Sequence, residues 1–257
     1  PETTGTGGSR GSRGDVCTGV TVITPRAGGN PWAEKVPAGV YTGNGYGKAA
    51  GFTQVEELGE LEAPIALTNT LSVGTVLAAM VRRALAEPGC EGVRSINVVV
   101  GETNDGRLND IRGQHVTAEH VEAAWAAADA GAGVPVAMGA VGAGAGTVCF
   151  GLKGGIGSSS RRVGEWTVGV LVQTNFGGAL RIDGAPYADA PASEGSGDGS
   201  CMIVVATDAP LDARNLRRLA KRALFGMARA GGSMSNGSGD YAIAFSTHPG
   251  CAIPAGA

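Results

Sequence analysis

Aromatic side chains are scarce in this chain, at 5% of 257 residues, and only 17% of residues are charged. Ring packing therefore cannot dominate the core, and backbone turns and close approaches must carry much of the fold. There is no basic excess. Net charge is −3 and the pI is near 5.7, which excludes the electrostatic footprint of a nucleic-acid binder. Only three histidines occur, and the five cysteines (Cys17, Cys90, Cys149, Cys201 and Cys251) are widely spaced with no Cys-x-x-Cys, so no zinc-binding spacing is available. That cysteine usage favours a reduced, cytoplasmic setting. Residues 130–152 carry no charge, a length that could cross a bilayer. Their seven glycines and one proline point instead to a buried Gly-rich core segment, and no membrane partner is expected. The N-terminus has no signal-peptide pattern, and its Gly/Ser/Thr/Arg-rich first 15 residues read as a flexible arm.

What the chain has in abundance is glycine, 45 residues, without the three-residue period of collagen. It is interleaved with Val/Ile/Ala runs, and 43% hydrophobic side chains suffice for the core of one domain spanning 1–257. VTVIT (20–24) predicts a short strand, followed by a Gly/Pro-punctuated stretch to about residue 52. Apolar residues at helical spacing from Thr75 to Glu87 predict a helix that Pro88-Gly89 stops. SINVVV (95–100) reads as a buried strand, 117–130 as a second helix, and 147–151 and 166–174 as strands. Residues 183–200 form a polar, acidic loop that leads into the strand CMIVVATD (201–208). A helix follows with Asp208 as N-cap and Leu211, Leu216, Leu219, Ala220, Ala223 and Leu224 inward; its Arg214, Arg217, Arg218, Lys221 and Arg222 read as a solvated outer face. YAIAFST (241–247) closes the series. Mixed strands and helices place the fold in the α/β or α+β class.

Common catalytic templates fail. There is no G-x-S-x-G, no H-E-x-x-H and no Walker A run, and the glycines at 43–47 and 142–146 do not complete G-x-G-x-x-G. His115 and His120 lie five apart, off-face for shared ligation, and read as surface residues. Ser200 is better placed. A Gly/Ser/Asp loop runs straight into this hydroxyl at the mouth of a buried strand, which is what an N-terminal nucleophile requires. Its oxygen can attack the Gly199 carbonyl, turning the peptide into an ester that water opens to a new α-amino terminus. Gly199 has no Cβ to obstruct that shift. The freed amine, of reference pKa about 7.7–8.0, can act as base to its own hydroxyl. Serines that open strands are ordinary, and on the residues alone that reading also stands.

Six segments carry a resemblance: VEELGELEAPIALTNTLSVG (55–74), VVGETNDGRLNDIRG (99–113), GAVGAGAGTVCFGLKGGIGSSSR (139–161), VGVLVQTNFGG (168–178), GDGSCMIVVATDAPL (197–211) and SNGSGDYAIAFST (235–247). Over about residues 16–250 the chain resembles the DmpA-type L-aminopeptidase/D-esterase family, the P1 or β-aminopeptidase family of self-processing serine hydrolases. The resemblance implies a four-layer αββα sandwich, like that of ornithine acetyltransferases. It also implies a cut between Gly199 and Ser200 into an α chain (1–199) and a β chain (200–257), the latter shorter than is usual in the family. Ser200 then becomes nucleophile and new N-terminus, and Asn175 of TNFGG the oxyanion-hole amide. Ser238 and Asp240 of GSGD become the hydroxyl and carboxylate that support it. Glu102 of GETND is the candidate for binding the free amine of a peptide, amide or ester substrate, its alternative being a turn-capping Glu. No cofactor and no metal is implied, and a homo-oligomer of αβ units is expected.

Two departures qualify the resemblance. Met138 stands where family members usually carry Glu before the GAVGAG run, so an acidic specificity role there is not expected. Cys201 offers a thiol beside the nucleophile, but its place in the strand reads as core. Rival readings are a pantetheine-type amidohydrolase or another acyl-transfer enzyme of the same fold, and a non-catalytic assembly subunit. Against the last, GDGS, TNFGG and GSGD are all intact.

Overall fold

A computed structural model describes residues 15–189 and 199–255. The expected N-terminal arm, up to residue 14, and residues 190–198 of the acidic loop lie outside the described residues.

In chain order the elements are β1 (Thr21–Ile23), β2 (Glu34–Gly45), α1 (Phe52–Leu58), β3 (Glu60–Leu61), β4 (Ile65–Asn69), α2 (Val73–Leu85), β5 (Val99–Thr103), α3 (Ala118–Ala130), β6 (Val148–Cys149), β7 (Leu152–Lys153), β8 (Gly155–Val163), β9 (Trp166–Asn175), β10 (Arg181–Ile182), β11 (Ala185–Pro186), β12 (Ser200–Thr207), α4 (Ala213–Arg229), β13 (Gly239–Ser246) and β14 (Ile253–Pro254). A seven-stranded sheet runs β14-β2-β13-β12-β9-β8, with β3 paired to β2, and a three-stranded sheet runs β1-β4-β5. Inside the large sheet β12 and β13 are parallel; β12–β9, β13–β2 and β8–β9 are antiparallel.

Strand alternation sorts the side chains into layers. Met202, Val204, Tyr241, Ile243 and Phe245 point from the large sheet toward Ile65, Leu67 and Val99 of the small one. Cys201, Ile203, Val205, Ala242 and Ala244 point the other way, onto Leu216, Ala220, Leu224 and Met227 of α4. The outer face of the small sheet packs Ala66 and Val100 against Val76, Met80, Val121 and Trp125 of α2 and α3. The order is α4, large sheet, small sheet, α2 with α3: the expected four-layer αββα sandwich.

Several boundaries differ from expectation, for local reasons. Asp208 does not cap α4, because its carboxylate accepts the Thr167 N–H (2.6 Å) across the strand edge; Asp212 is the N-cap, accepting from Asn215 N–H at 2.8 Å. The strand expected at 95–100 starts at Val99, since Asn97 is drawn away by Glu62 and by the Gly51 carbonyl. The stretch to residue 52 contains the twelve-residue β2, hidden in sequence by Pro37, Gly39 and Gly43. The strand at 147–151 is a short hairpin, β6–β7, and residues 181–186 of the acidic region form another, β10–β11. The uncharged 130–152 segment is core only in its second half. Val134, Val136 and Met138 are 63%, 48% and 60% exposed, and burial begins at Ala143. No helix among the described residues is long and apolar enough to cross a membrane. His120 joins Thr117 in the cap of α3 and His115 faces Asp110, so the two histidines do not converge. The five basic residues expected on the outer face of α4 are exposed, as is Arg229 at its end.

Candidate active site

Ser200 is the first residue of β12, flanked in register by Asn175 of β9 and Gly239 of β13. Two ladders therefore hold it, and it is only 5% exposed. In this uncut chain its Oγ donates to the carbonyl of its own preceding residue, Gly199, at 2.7 Å. The Gly239 N–H donates to that same carbonyl at 3.1 Å and lies 3.4 Å from Ser200 Oγ. Hydroxyl, preceding carbonyl and a backbone donor thus meet at one peptide. A Cβ on residue 199 would stand 2.4 Å from the Asn175 carbonyl oxygen and 2.6 Å from Phe176 Cα, so only glycine fits there.

Asn175 is fixed at both ends of its amide. Its Oδ1 accepts from Val148 N–H (3.0 Å), and its Nδ2 donates to the Asn104 carbonyl (2.9 Å), leaving a second amide hydrogen available. Val148 belongs to the β6–β7 hairpin, whose two-residue turn has Phe150 and Gly151 both left-handed, at φ 52° and 75°. That is the primed turn expected of a tight hairpin, with a phenylalanine where glycine or asparagine is usual. The turn is held by Phe150 N–H on the Phe176 carbonyl (2.8 Å) and an edge-on contact between the two rings.

Ser238 and Asp240 form one pair, the hydroxyl donating to Oδ1 at 2.9 Å, on either side of Gly239 in sequence. Both are buried. By strand alternation Asp240 shares the α4 side with Cys201, its register partner, whereas Ser200 faces the small sheet. The pair accordingly flanks the Gly199–Ser200 peptide and makes no bond to Ser200 Oγ. Asp240 Oδ2 has no partner among the described residues. Burial pushes the Asp240 carboxyl up, and the Ser238 hydroxyl offsets only part of that. Cys201 is 1% exposed, and burial drives its thiol well above the usual range, beyond the reach of thiolate chemistry.

Glu102 lies in β5 of the small sheet, 2% exposed, not at a turn. Lys48 N–H donates to Oε1 at 2.9 Å and the Thr70 hydroxyl to Oε2. It reaches the neighbourhood of Ser200 through Gly47: a Cβ there would lie 2.9 Å from Glu102 Oε1 and 3.3 Å from Gly239 Cα. The two sheets thus bring Glu102, Gly239 and Ser200 to one end of the sandwich. Beside them Asp105, 1% exposed and held by Asn109 Nδ2 at 3.0 Å, has its carboxyl raised by burial. The sequence had not singled out Asp105, nor the backbone groups of Asn104, Val148 and Gly239. Asp105 lies inside the GETND run, but a main-chain donor leaves no residue signature.

The model of peptidase family S58 matches residues 3–254. The chain belongs to that family. It is 45% identical over 259 residues to the β-peptidyl aminopeptidase BapA of Sphingosinicella microcystinivorans, a match covering 91% of this chain and 64% of that protein. The chain therefore spans just under two thirds of that relative's length. Among solved structures, a β-aminopeptidase from Burkholderia superposes with a TM-score of 0.85 at 44% identity, over 97% of this chain and 71% of the other. The L-aminopeptidase D-Ala-esterase/amidase of Ochrobactrum anthropi, described as a variant of the Ntn hydrolase fold, superposes at 0.76 with 35% identity, over 96% and 76%. This S58 chain shares that fold.

Proposed function

We propose that the full-length protein is a self-processing aminopeptidase that hydrolyses short peptides, amides or esters bearing a free amino end, with Ser200 as an N-terminal nucleophile. One observation carries the reading: Ser200 Oγ sits 2.7 Å from the Gly199 carbonyl oxygen while Gly239 N–H donates to that oxygen. Processing begins when Oγ bonds to the Gly199 carbonyl carbon. Negative charge gathers on the carbonyl oxygen, where the Gly239 N–H is already placed. Collapse breaks the C–N bond, the hydroxyl proton passes to the departing Ser200 nitrogen, and water hydrolyses the resulting ester. Gly199 keeps a carboxylate and Ser200 gains an α-amino group.

In turnover that amine takes the Oγ proton as Oγ attacks the substrate carbonyl. Asn175 and Gly239 N–H face the developing oxyanion. The amine proton goes to the leaving group, and water releases the acyl product. Asp240, buried with one oxygen bare among the described residues, supports the new ammonium through Ser238 or directly. Glu102 accepts the substrate ammonium with lone pairs left free by Lys48 and Thr70. The names of the relatives support amides of α- and β-amino acids alike.

Mass spectrometry of the full-length chain tests the reading. Fragments split after Gly199, the downstream one beginning Ser-Cys-Met-Ile, are expected; a chain that stays whole yet hydrolyses amides rules out an N-terminal Ser200. Rates on L-Ala amide, D-Ala ester, a β-homoamino amide and pantetheine then separate an aminopeptidase from a pantetheine-type amidohydrolase.

A further inference from the structure

Lys153 stands apart from the other charged residues near the site. It forms no ion pair with a carboxylate among the described residues, yet its Nζ donates to three backbone carbonyls: Gly144 (2.9 Å), Thr147 (3.1 Å) and Gly154 (2.8 Å). An ammonium has three N–H donors, so this set uses all of them. The carbonyls come from both sides of the β6–β7 hairpin, whose base is closed by Gly154 N–H on the Thr147 carbonyl (2.9 Å). Thr147 Oγ1 adds a bond to the Gly144 carbonyl at 3.1 Å. A two-residue pairing with a left-handed phenylalanine in its turn is marginal alone and needs such a fastening. The next residue along from Thr147 is Val148, whose N–H holds Asn175 Oδ1.

We propose that Lys153 is a positioning residue for the oxyanion-hole amide. Its ammonium clasps the ends of the hairpin, which fixes Val148 N–H and so aims the Asn175 side chain. Lys153 touches neither substrate nor Ser200 and acts only through Asn175. The inference rests on the aminopeptidase reading for its kinetic consequence, but not for its structural one.

Two measurements on the full-length protein test it. In Lys153→Met, which keeps the chain length and loses the donors, hydrogen exchange at Val148 N–H should quicken about ten-fold or more while β2 amides stay unchanged. On an amide substrate, kcat should fall about ten-fold with KM nearly unmoved, and the same substitution in an Asn175→Ala background should cost little further. Lys153→Gln, which keeps one donor group, should fall between and serves should the methionine variant fold poorly. Unchanged Val148 exchange overturns the proposal. So does a kcat loss that multiplies with Asn175→Ala instead of merging with it. If the wild-type protein hydrolyses none of the substrates, the aminopeptidase reading fails while the exchange experiment still decides whether Lys153 holds the hairpin.

Discussion

Glu102 and Asp240, two of the buried carboxylates at the site, come from different layers and are treated differently. Glu102, in the small sheet, has a donor on each oxygen, Lys48 N–H and the Thr70 hydroxyl. Among the described residues Asp240, in the large sheet, has one donor, Ser238, and a bare second oxygen, and burial raises its pKa. A carboxylate with donors on both oxygens is ready to bind a cation that comes and goes. A starved one costs free energy until a proton or permanent cation arrives. The contrast supports the proposed division of roles, with Glu102 for the transient ammonium of a substrate and Asp240 for the ammonium that processing would create.

Substitution at Ser200 removes what both regions serve. Ser200→Ala should leave one uncut chain by mass spectrometry, with hydrolysis at background. Asn175→Ala should lower kcat by roughly 10²–10³, about 2.7–4 kcal/mol, with little change in KM, since the role proposed for its amide lies at the developing oxyanion. An effect confined to KM would make it a substrate-positioning group.

The two carboxylates should then separate. N-acetylation of a good substrate should cost at least about ten-fold in kcat/KM, about 1.4 kcal/mol, and Glu102→Gln should erase most of that discrimination while cutting at Gly199 proceeds. Equal rates on acetylated and free amines would break the assignment. For Asp240 the sign follows from its raised pKa. A folded-state pKa above the unfolded value gives stability that is full below the unfolded pKa, about 3.9, and is lost as pH rises through the folded value. In the uncut Ser200→Ala chain, Asp240→Asn should therefore gain stability over its parent as pH rises from about 4, read from urea midpoints. Asp105 shifts in the same direction but is common to both chains. A gap independent of pH would mean that Asp240 is already neutralised. Least affected should be Cys201→Ala, with cutting within about two-fold of wild type, because Cys201 packs as a small hydrophobe.

The layered fold was legible wherever periodicity was clean: Val76, Met80 and Val121 on helices, the apolar run Met202–Val205 on a strand. It was obscured in β2, where Pro37 and two glycines look like punctuation but lie in a strand held on both sides by partners. Asp208 was misread as a cap because a carboxylate before a helix has the same signature when it serves a neighbouring strand. At the site, Ser200 stood out by its place at the mouth of a strand, while Asn175, Ser238, Asp240 and Glu102 were marked only by the resemblance of their motifs to the family's. Their separation onto two faces did not, since it depends on which neighbour each strand pairs with. Lys153 was equally opaque: a lysine among glycines gives no hint that its partners are carbonyls.

The parallel pairing of β12 with β13 sets both strand starts, Ser200 and Gly239, at the same edge of the sheet, with β9 antiparallel on the other side. All eight residues of β12 are laddered on both flanks. A break before Ser200 therefore cuts the chain without cutting the sheet, and the fragments remain a single folded body. What changes is the order of the unfolding reaction. Before the cut, loss of structure is unimolecular; after it, unfolding is also dissociation, so mass action enters and the melting point of the processed protein should rise with its concentration.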